Sequence, residues 1–399
     1  MAPTALRDPT IWRGQDGFFA AAGGDPTGAG VAGSFELKVE DTKGAFPRSL
    51  AARSGFDVSG LGVSALLGTV GPTRQLQIGR YHAGKFSFAP IAPNETAPFK
   101  TALGTSVVEE AADLDGNGVS DLTLRSSSAS GIDTIRVWPD VAVDNPYELR
   151  NVRREWVVQA TGDLDGDGSG DLVWRYTATG SPDSGASFIW YQDKGRYQLA
   201  KRRGGAPLGW EILGAADITA DGADDLLYLS PSRELRALIA APDRTCVNIG
   251  AGTVGKGEAP LYFADFFNTG GSALASMDTS TGDVKLYTFD GSALALSTPP
   301  ETEAVNAPCT RSDLSVAPRI TLLGRIDPSW LPLALGDFTG DDILDIVWAT
   351  PDRRLVLWRL ISPSRVEVNS DAGRIPDELT VIQTNSGAAV TPQRLSGYV

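Results

Sequence analysis

Histidine occurs once in this chain of 399 residues, and cysteine and methionine twice each. His82 sits in Gly-Arg-Tyr-His-Ala-Gly-Lys with no nucleophile motif around it, so it reads as a structural residue. No G-x-S-x-G, H-E-x-x-H or phosphate-cradling loop occurs anywhere. Two cysteines cannot build a disulfide scaffold, and whether Cys246 and Cys309 bridge each other stays open at this level. No apolar run approaches the ~18 residues that a bilayer span requires. Nor does a charged-then-apolar leader precede Ala2-Pro3-Thr4, so export would imply a leader already removed. Sustained 3.6-residue periodicity is scarce, which argues against long helices. Basic residues are outnumbered 35 to 49. A nucleic-acid partner is thereby disfavoured, since phosphate binding needs a basic face. The one basic cluster, Lys194, Arg196, Lys201, Arg202 and Arg203, reads as a solvated hairpin edge.

What the chain has in quantity is glycine (45), proline (25) and short β-type runs such as Leu226-Leu-Tyr-Leu229 and Leu355-Val-Leu-Trp358. The expected class is all-β. The most informative stretch is Asp163-Leu-Asp165-Gly-Asp167-Gly-Ser-Gly-Asp171, with carboxylates at positions 1, 3, 5 and 9. Oxygen ligands alternating along a glycine-rich turn can all face one hard cation, and without it they repel one another. The cation expected is calcium.

The same layout recurs as Asp113, Asp115, Asn117 and Asp121. It returns with threonine third as Asp217, Thr219, Asp221 and Asp225, and as Asp337, Thr339, Asp341 and Asp345. Eroded copies at Asp57 and Asp265 keep only the first aspartate and are expected to bind nothing. The leading aspartates are spaced by roughly 50 residues, with one longer step of about 70 from 265 to 337, a repeat architecture. The excess in that step lies mostly between Pro299 and Pro318 and reads as a loop insertion carrying Cys309. The ligand-position aspartates account for nearly all of the net charge of −14. The acidity therefore points to bound cations rather than to an acidic surface.

Between 156 and 201 the order is clearest: Trp156-Val-Val-Gln159, the loop, Leu172-Val-Trp-Arg-Tyr176, Ser187-Phe-Ile-Trp-Tyr191 and Arg196-Tyr-Gln-Leu-Ala200. That is four strands, one propeller blade. Thr10-Ile-Trp12-Arg13 looks like the strand that follows a loop, and Gln393-Arg-Leu-Ser-Gly-Tyr-Val399 like the run that leads into one. Joining residues 1–47 to 391–399 gives a seventh repeat, closing the ring with strands from both termini. The whole chain, 1–399, is then a single domain.

The Trp–loop–Asp-Leu-Val-Trp-Arg pattern, strongest at 113–121, 163–175 and 330–348, resembles the FG-GAP/VCBS repeats of integrin α-like propellers and many secreted proteins, some lectins among them. The resemblance implies a seven-bladed β-propeller, secreted or at the cell surface, with about four calcium ions held by the sixteen residues just named. An EF-hand is excluded by context. Position 12 is Leu124, Trp174, Tyr228 or Trp348 instead of glutamate, and strands flank the loops.

Calcium held by so many ligands has a structural role first, with bridging to a ligand as the alternative. Tryptophans recurring at fixed register, Trp174 with Trp348 and Trp156 with Trp210 and Trp330, are what packing between blades predicts. The third-strand Trp138, Trp190 and Trp358 are the candidates for stacking on sugar rings, on the expectation that outer strands are more exposed. The leading function is a non-catalytic binding or adhesion module for a glycan or an extracellular protein. The alternative is a polysaccharide-active lyase or hydrolase, because a spatially assembled acid pair leaves no local signature.

Overall fold

The computed structural model describes residues 17–21, 37–39, 55–56, 63–72, 74–91, 103–140, 147–182, 184–194, 196–205, 209–242, 244–291 and 309–383. Among them, regular structure is entirely β, and no helix is long and apolar enough to cross a membrane. Six sheets, antiparallel but for one added strand, follow one another along the chain. Blade two is Val107–Ala112, Asp121–Ser126, Ile132–Trp138 and Tyr147–Arg153. Blade three is Trp156–Gly162, Asp171–Tyr176, Ala186–Asp193 and Arg196–Gly205. Blade four begins at Glu211–Ala216, blade five at Glu258–Ala264 and blade six at Leu331–Gly336. Blade one is assembled from distant segments. Ala65–Val70, Gln75–His82 and Lys85–Pro90 are completed by Leu379–Gln383 and by Gly55–Phe56, both paired to Ala65–Val70.

The apolar residues of each blade bury themselves against the next blade. Leu67 and Ile78 of blade one meet Leu122 and Leu124 of blade two. Ile135 and Val137 meet Leu172 and Trp174, Ile189 and Tyr191 meet Tyr228 and Leu238, and Leu229 and Ile239 meet Phe263 and Leu274. Leu261 and Met277 of blade five meet Ile346 and Trp348 of blade six. Leu333 and Leu357 then meet Leu66, Phe86 and Val381 of blade one. Six inter-blade cores close a ring. The chain is a six-bladed β-propeller.

The expected seventh blade is therefore corrected. The six leading aspartates already number the blades, and the C-terminal strand supplies the missing inner strand of the repeat at Asp57 instead of founding a new one. Closure by both termini takes a different register from the one expected. Gly17–Ala21 pairs with Leu379–Gln383, which in turn pairs with Ala65–Val70. Residues 10–13 and 391–399 lie outside the described residues.

In five blades the ladder between the first two strands slips by one residue at the same place, as between Val108 and Glu110 or Val158 and Ala160. A bulge there increases the twist of the inner strand. Opposite rims are then fastened differently. On the loop rim, the eighth residue of one loop donates to a carbonyl of the preceding loop. Gly170 N–H meets Asp113 O at 2.8 Å, Asp224 N–H meets Asp163 O at 2.7 Å, and Ser64 N–H meets Asp337 O at 2.6 Å. The Ser272 hydroxyl reaches Asp217 O in the same way, and Leu344 N–H reaches Phe266 O at 2.9 Å. On the far rim an arginine reaches a carbonyl at or near the start of the next inner strand. Arg74 bonds Ser106, Arg125 Trp156, Arg175 Trp210, Arg233 Glu258 and Arg353 Pro376.

Cys246 and Cys309 form a disulfide. The insertion that carries Cys309 adds Thr310–Ser315 as a parallel fifth strand to Cys246–Thr253 of blade four. It then returns as Arg319–Arg325, the outer strand of blade five.

Candidate functional site: the aspartate loops

Each loop is held by its first and ninth aspartates. At Asp163 one carboxylate oxygen accepts from Asp167 N–H and the other from Gly168 N–H, both at 2.9 Å. Asp113, Asp217 and Asp337 do the same for their loops. So does Asp265, with Thr269 and Gly270 N–H. This explains why the first aspartate survives where the others are lost: the turn needs it with or without a cation. In three loops the buried ninth aspartate ties two amides, while Asp345 ties only Phe338 N–H at 3.1 Å. Asp171 accepts from Leu164 at 3.0 Å and from Gln192, near the end of the third strand, at 2.9 Å. Asp121 repeats this with Leu114 and Asp140, and Asp225 with Ile218 and Ala240. The fifth residue caps the seventh, as Asp167 does for Ser169 N–H and Asn117 for Val119 N–H.

What remains for a cation differs between loops. Oxygens of Asp113, Asp115 and Asp121 lie within 4.8 Å of one another, as do those of Asp163, Asp165 and Asp167. Among the described residues these are the two triads that converge. In the loops with Thr219 and Thr339 three carboxylates do not come so close. Three loops hold orphaned oxygens, Ser120 Oγ being the one in the Asp113 loop. Asp165 Oδ1 is buried with no hydrogen-bond partner, and so are Thr339 Oγ1 and Asp345 Oδ1. This donor set, oxygen-only and anionic, fits a hard divalent cation.

The electrostatics point the same way. Burial pushes Asp113 up to about 6 and Asp121 up to about 8, against the amide hydrogen bonds that favour the charged form. Asp345 is pushed up to about 8 by burial and then by the charges of Asp337 and Asp341. Burial also holds Asp171 and Asp225 well above the usual carboxylate range. Ionised carboxylates in such places need positive charge nearby.

Three residues of this rim carry no local sequence signal. Asp140 takes Asn117 Nδ2–H at 2.8 Å, and its negative charge bears on Asp115. Arg244, from the next blade, donates from Nε to Asp165 Oδ2 at 2.6 Å while lying 4.6 Å from the Tyr191 ring centre. Arg359 donates to Asp341 Oδ2 at 2.7 Å.

No family model matches the chain, and no curated protein does. Among solved structures, a DUF4623 family protein from Bacteroides eggerthii DSM 20697 is similar at 12% identity. The match covers 82% of this chain and 72% of that one, with a TM-score of 0.30.

The three tryptophans expected to offer a sugar platform are covered. Trp138 is 3% exposed, Trp190 8% and Trp358 2%. The third strand is not an outer surface in a closed ring, because the neighbouring blade lies over it. Trp358 packs edge-on against Trp348 and directly beneath Gly324 of blade five, where an added Cβ would stand 2.9 Å from its ring. Trp174 and Trp348, at 1% and 0% exposure, are core as their register suggests.

Proposed function

We propose that the chain is a calcium-stabilised propeller of the FG-GAP/VCBS kind, acting outside the cell as a non-catalytic binding or adhesion module. The observation that carries the reading is the loop at Asp163. Three carboxylates converge there, and the Asp165 oxygen that faces no donor is buried. Bound calcium supplies the positive charge that offsets their repulsion. Asp163 and Asp171 shape the loop through its amides, leaving Asp165 and Asp167 to bring further charge to the cation. The loop at Asp113 offers Asp113, Asp115, Asn117 and Asp121 for the same purpose. The loops of Thr219 and Thr339 hold the ion less tightly, because a neutral oxygen replaces a charged one.

The expected content is about four ions per chain. Saturation at a hundred times the dissociation constant adds ~2.7 kcal/mol per site. Chelation should therefore lower the melting temperature, millimolar calcium should restore it, and magnesium should substitute poorly. Metal analysis with melting curves decides the matter. Fewer than two ions, or a melting point indifferent to chelator, refutes it. Incubation with a panel of polysaccharides tests the second half. Retention without shortened chains is expected, whereas shortened chains would make the protein a polysaccharide-active enzyme.

A further inference from the structure

We propose that the outer groove between blades two and three binds an acidic polysaccharide. This rests on the binding-module reading and adds to it a place and a ligand class. Arg150, on the outer strand of blade two, crosses to blade three. Its guanidinium stands 4.7 Å from the Tyr197 ring centre and 5.6 Å from that of Trp190. Arg153 lies 5.1 Å from the Tyr176 ring centre. Beneath them lie two groups of rings. Trp190 meets Tyr197 at 5.4 Å, and Trp156 meets Tyr176 at 5.1 Å and Phe188 at 5.2 Å. Arg150 and Arg153 are both exposed, and neither joins an ion pair among the described residues. Lys194 and Arg196, also exposed and without an ion pair among the described residues, continue the basic line towards the loop rim. Asp193 stands opposite Arg196 in the hairpin register, and Glu155 follows Arg153 by two positions; neither joins an ion pair among the described residues.

The two arginines stand three positions apart on the strand, roughly 10 Å along it. The groove thus presents forked donors in a row, suited to carboxylates or sulfates repeated along an extended polymer. The net charge of −14 is no barrier at contact range. Physiological salt screens exposed charge beyond ~8 Å, and the aspartates are gathered in the loops. Nucleic acid fits less well. The ring faces that bases would stack on are occupied by the guanidinium groups, and one groove is too narrow a basic footprint for a phosphate backbone.

The test titrates the full chain, in calcium buffer, with labelled hyaluronan (carboxylate only) and dextran sulfate (sulfate only). Binding to at least one is expected, weakening with salt, and the pair distinguishes the two anionic groups. Arg150→Gln and Arg153→Gln should each weaken it roughly ten- to hundredfold, the scale of a lost charge-assisted hydrogen bond. Arg365→Gln on blade six, which removes the same charge elsewhere, should leave it unchanged. Arg150→Lys should fall between, and melting temperatures should stay near that of the parent. Binding to neither polymer, undiminished binding in both Gln variants, or tighter binding of oligothymidylate or polyglutamate would each overturn the proposal. Shortened hyaluronan with variant-sensitive binding would instead overturn the non-catalytic reading and leave the groove standing.

Discussion

Asp224 and Asp163 exchange two hydrogen bonds across the seam between blades three and four. The Asp224 amide donates to the Asp163 carbonyl at 2.7 Å, and its carboxylate accepts from the Asp163 amide at 2.9 Å. The pair joins adjacent loops at the residue that begins one of them. Gly162 makes room for it, since a Cβ there would stand 2.9 Å from Asp224 Oδ2 and 2.7 Å from Ala215 Cβ.

Replacing Asp224 with alanine leaves the buried Asp163 amide without its acceptor and should cost about 1–3 kcal/mol. Asp224→Asn keeps an acceptor oxygen and should cost much less. Gly162→Ala should be destabilising by about 1–3 kcal/mol through overpacking. Denaturant melts of the three variants in saturating calcium check this, and equal losses for Asn and Ala would contradict it.

Closure depends on the C-terminal strand. Deleting residues 376–399 removes Leu379–Gln383 and strips Ala65–Val70 of its partner along half its length. An open apolar edge should bring aggregation or a broad, uncooperative transition. Light scattering and calorimetry read the outcome, and a truncated chain that melts like the parent would refute this closure.

Glu258 supplies a pH signature. Burial raises its pKa, but hydrogen bonds from Lys285, Tyr287 and Ser276 outweigh that and hold the carboxyl below its usual range. A depressed folded value means the stabilisation is complete above the unfolded pKa of ~4.3 and is lost as pH falls through the folded one. Glu258→Gln should cost about 1–3 kcal/mol at neutral pH. It should also flatten the acid limb of the stability profile below about pH 4. Parallel acid limbs for parent and variant would contradict this.

The disulfide spans 63 residues. On chain entropy such a link is worth about 4 kcal/mol. Cys246→Ser/Cys309→Ser should lose stability of that order, and thiol reductant should lower the melting temperature of the parent but not of the double variant. A parent insensitive to complete reduction would show that the insertion holds to blade four by its strand pairing alone.

The loops were legible in the sequence because their geometry is local. Nine residues fix the turn, and Asp163 and Asp171 act on amides within it. The way the ring closes was not, because Leu379–Gln383 and Ala65–Val70 lie at opposite ends of the chain and a strand's sequence does not name its partner. Trp358 was misjudged for a related reason, since the glycine above it belongs to another blade. Arg244 reaches Asp165 from 79 residues away. Nothing near either residue announces the contact, whereas the repeated Trp–loop–Trp register announced the inter-blade core.

The two fastened rims have a physical consequence for the ring. Among the described residues, the seams from blade two to blade five are tied at both rims, by a loop amide or hydroxyl at one and by Arg125, Arg175 or Arg233 at the other. A seam held at both edges cannot hinge about either one without leaving a polar group unpaired. Blades two to five therefore behave as one rigid arc rather than as four independent sheets.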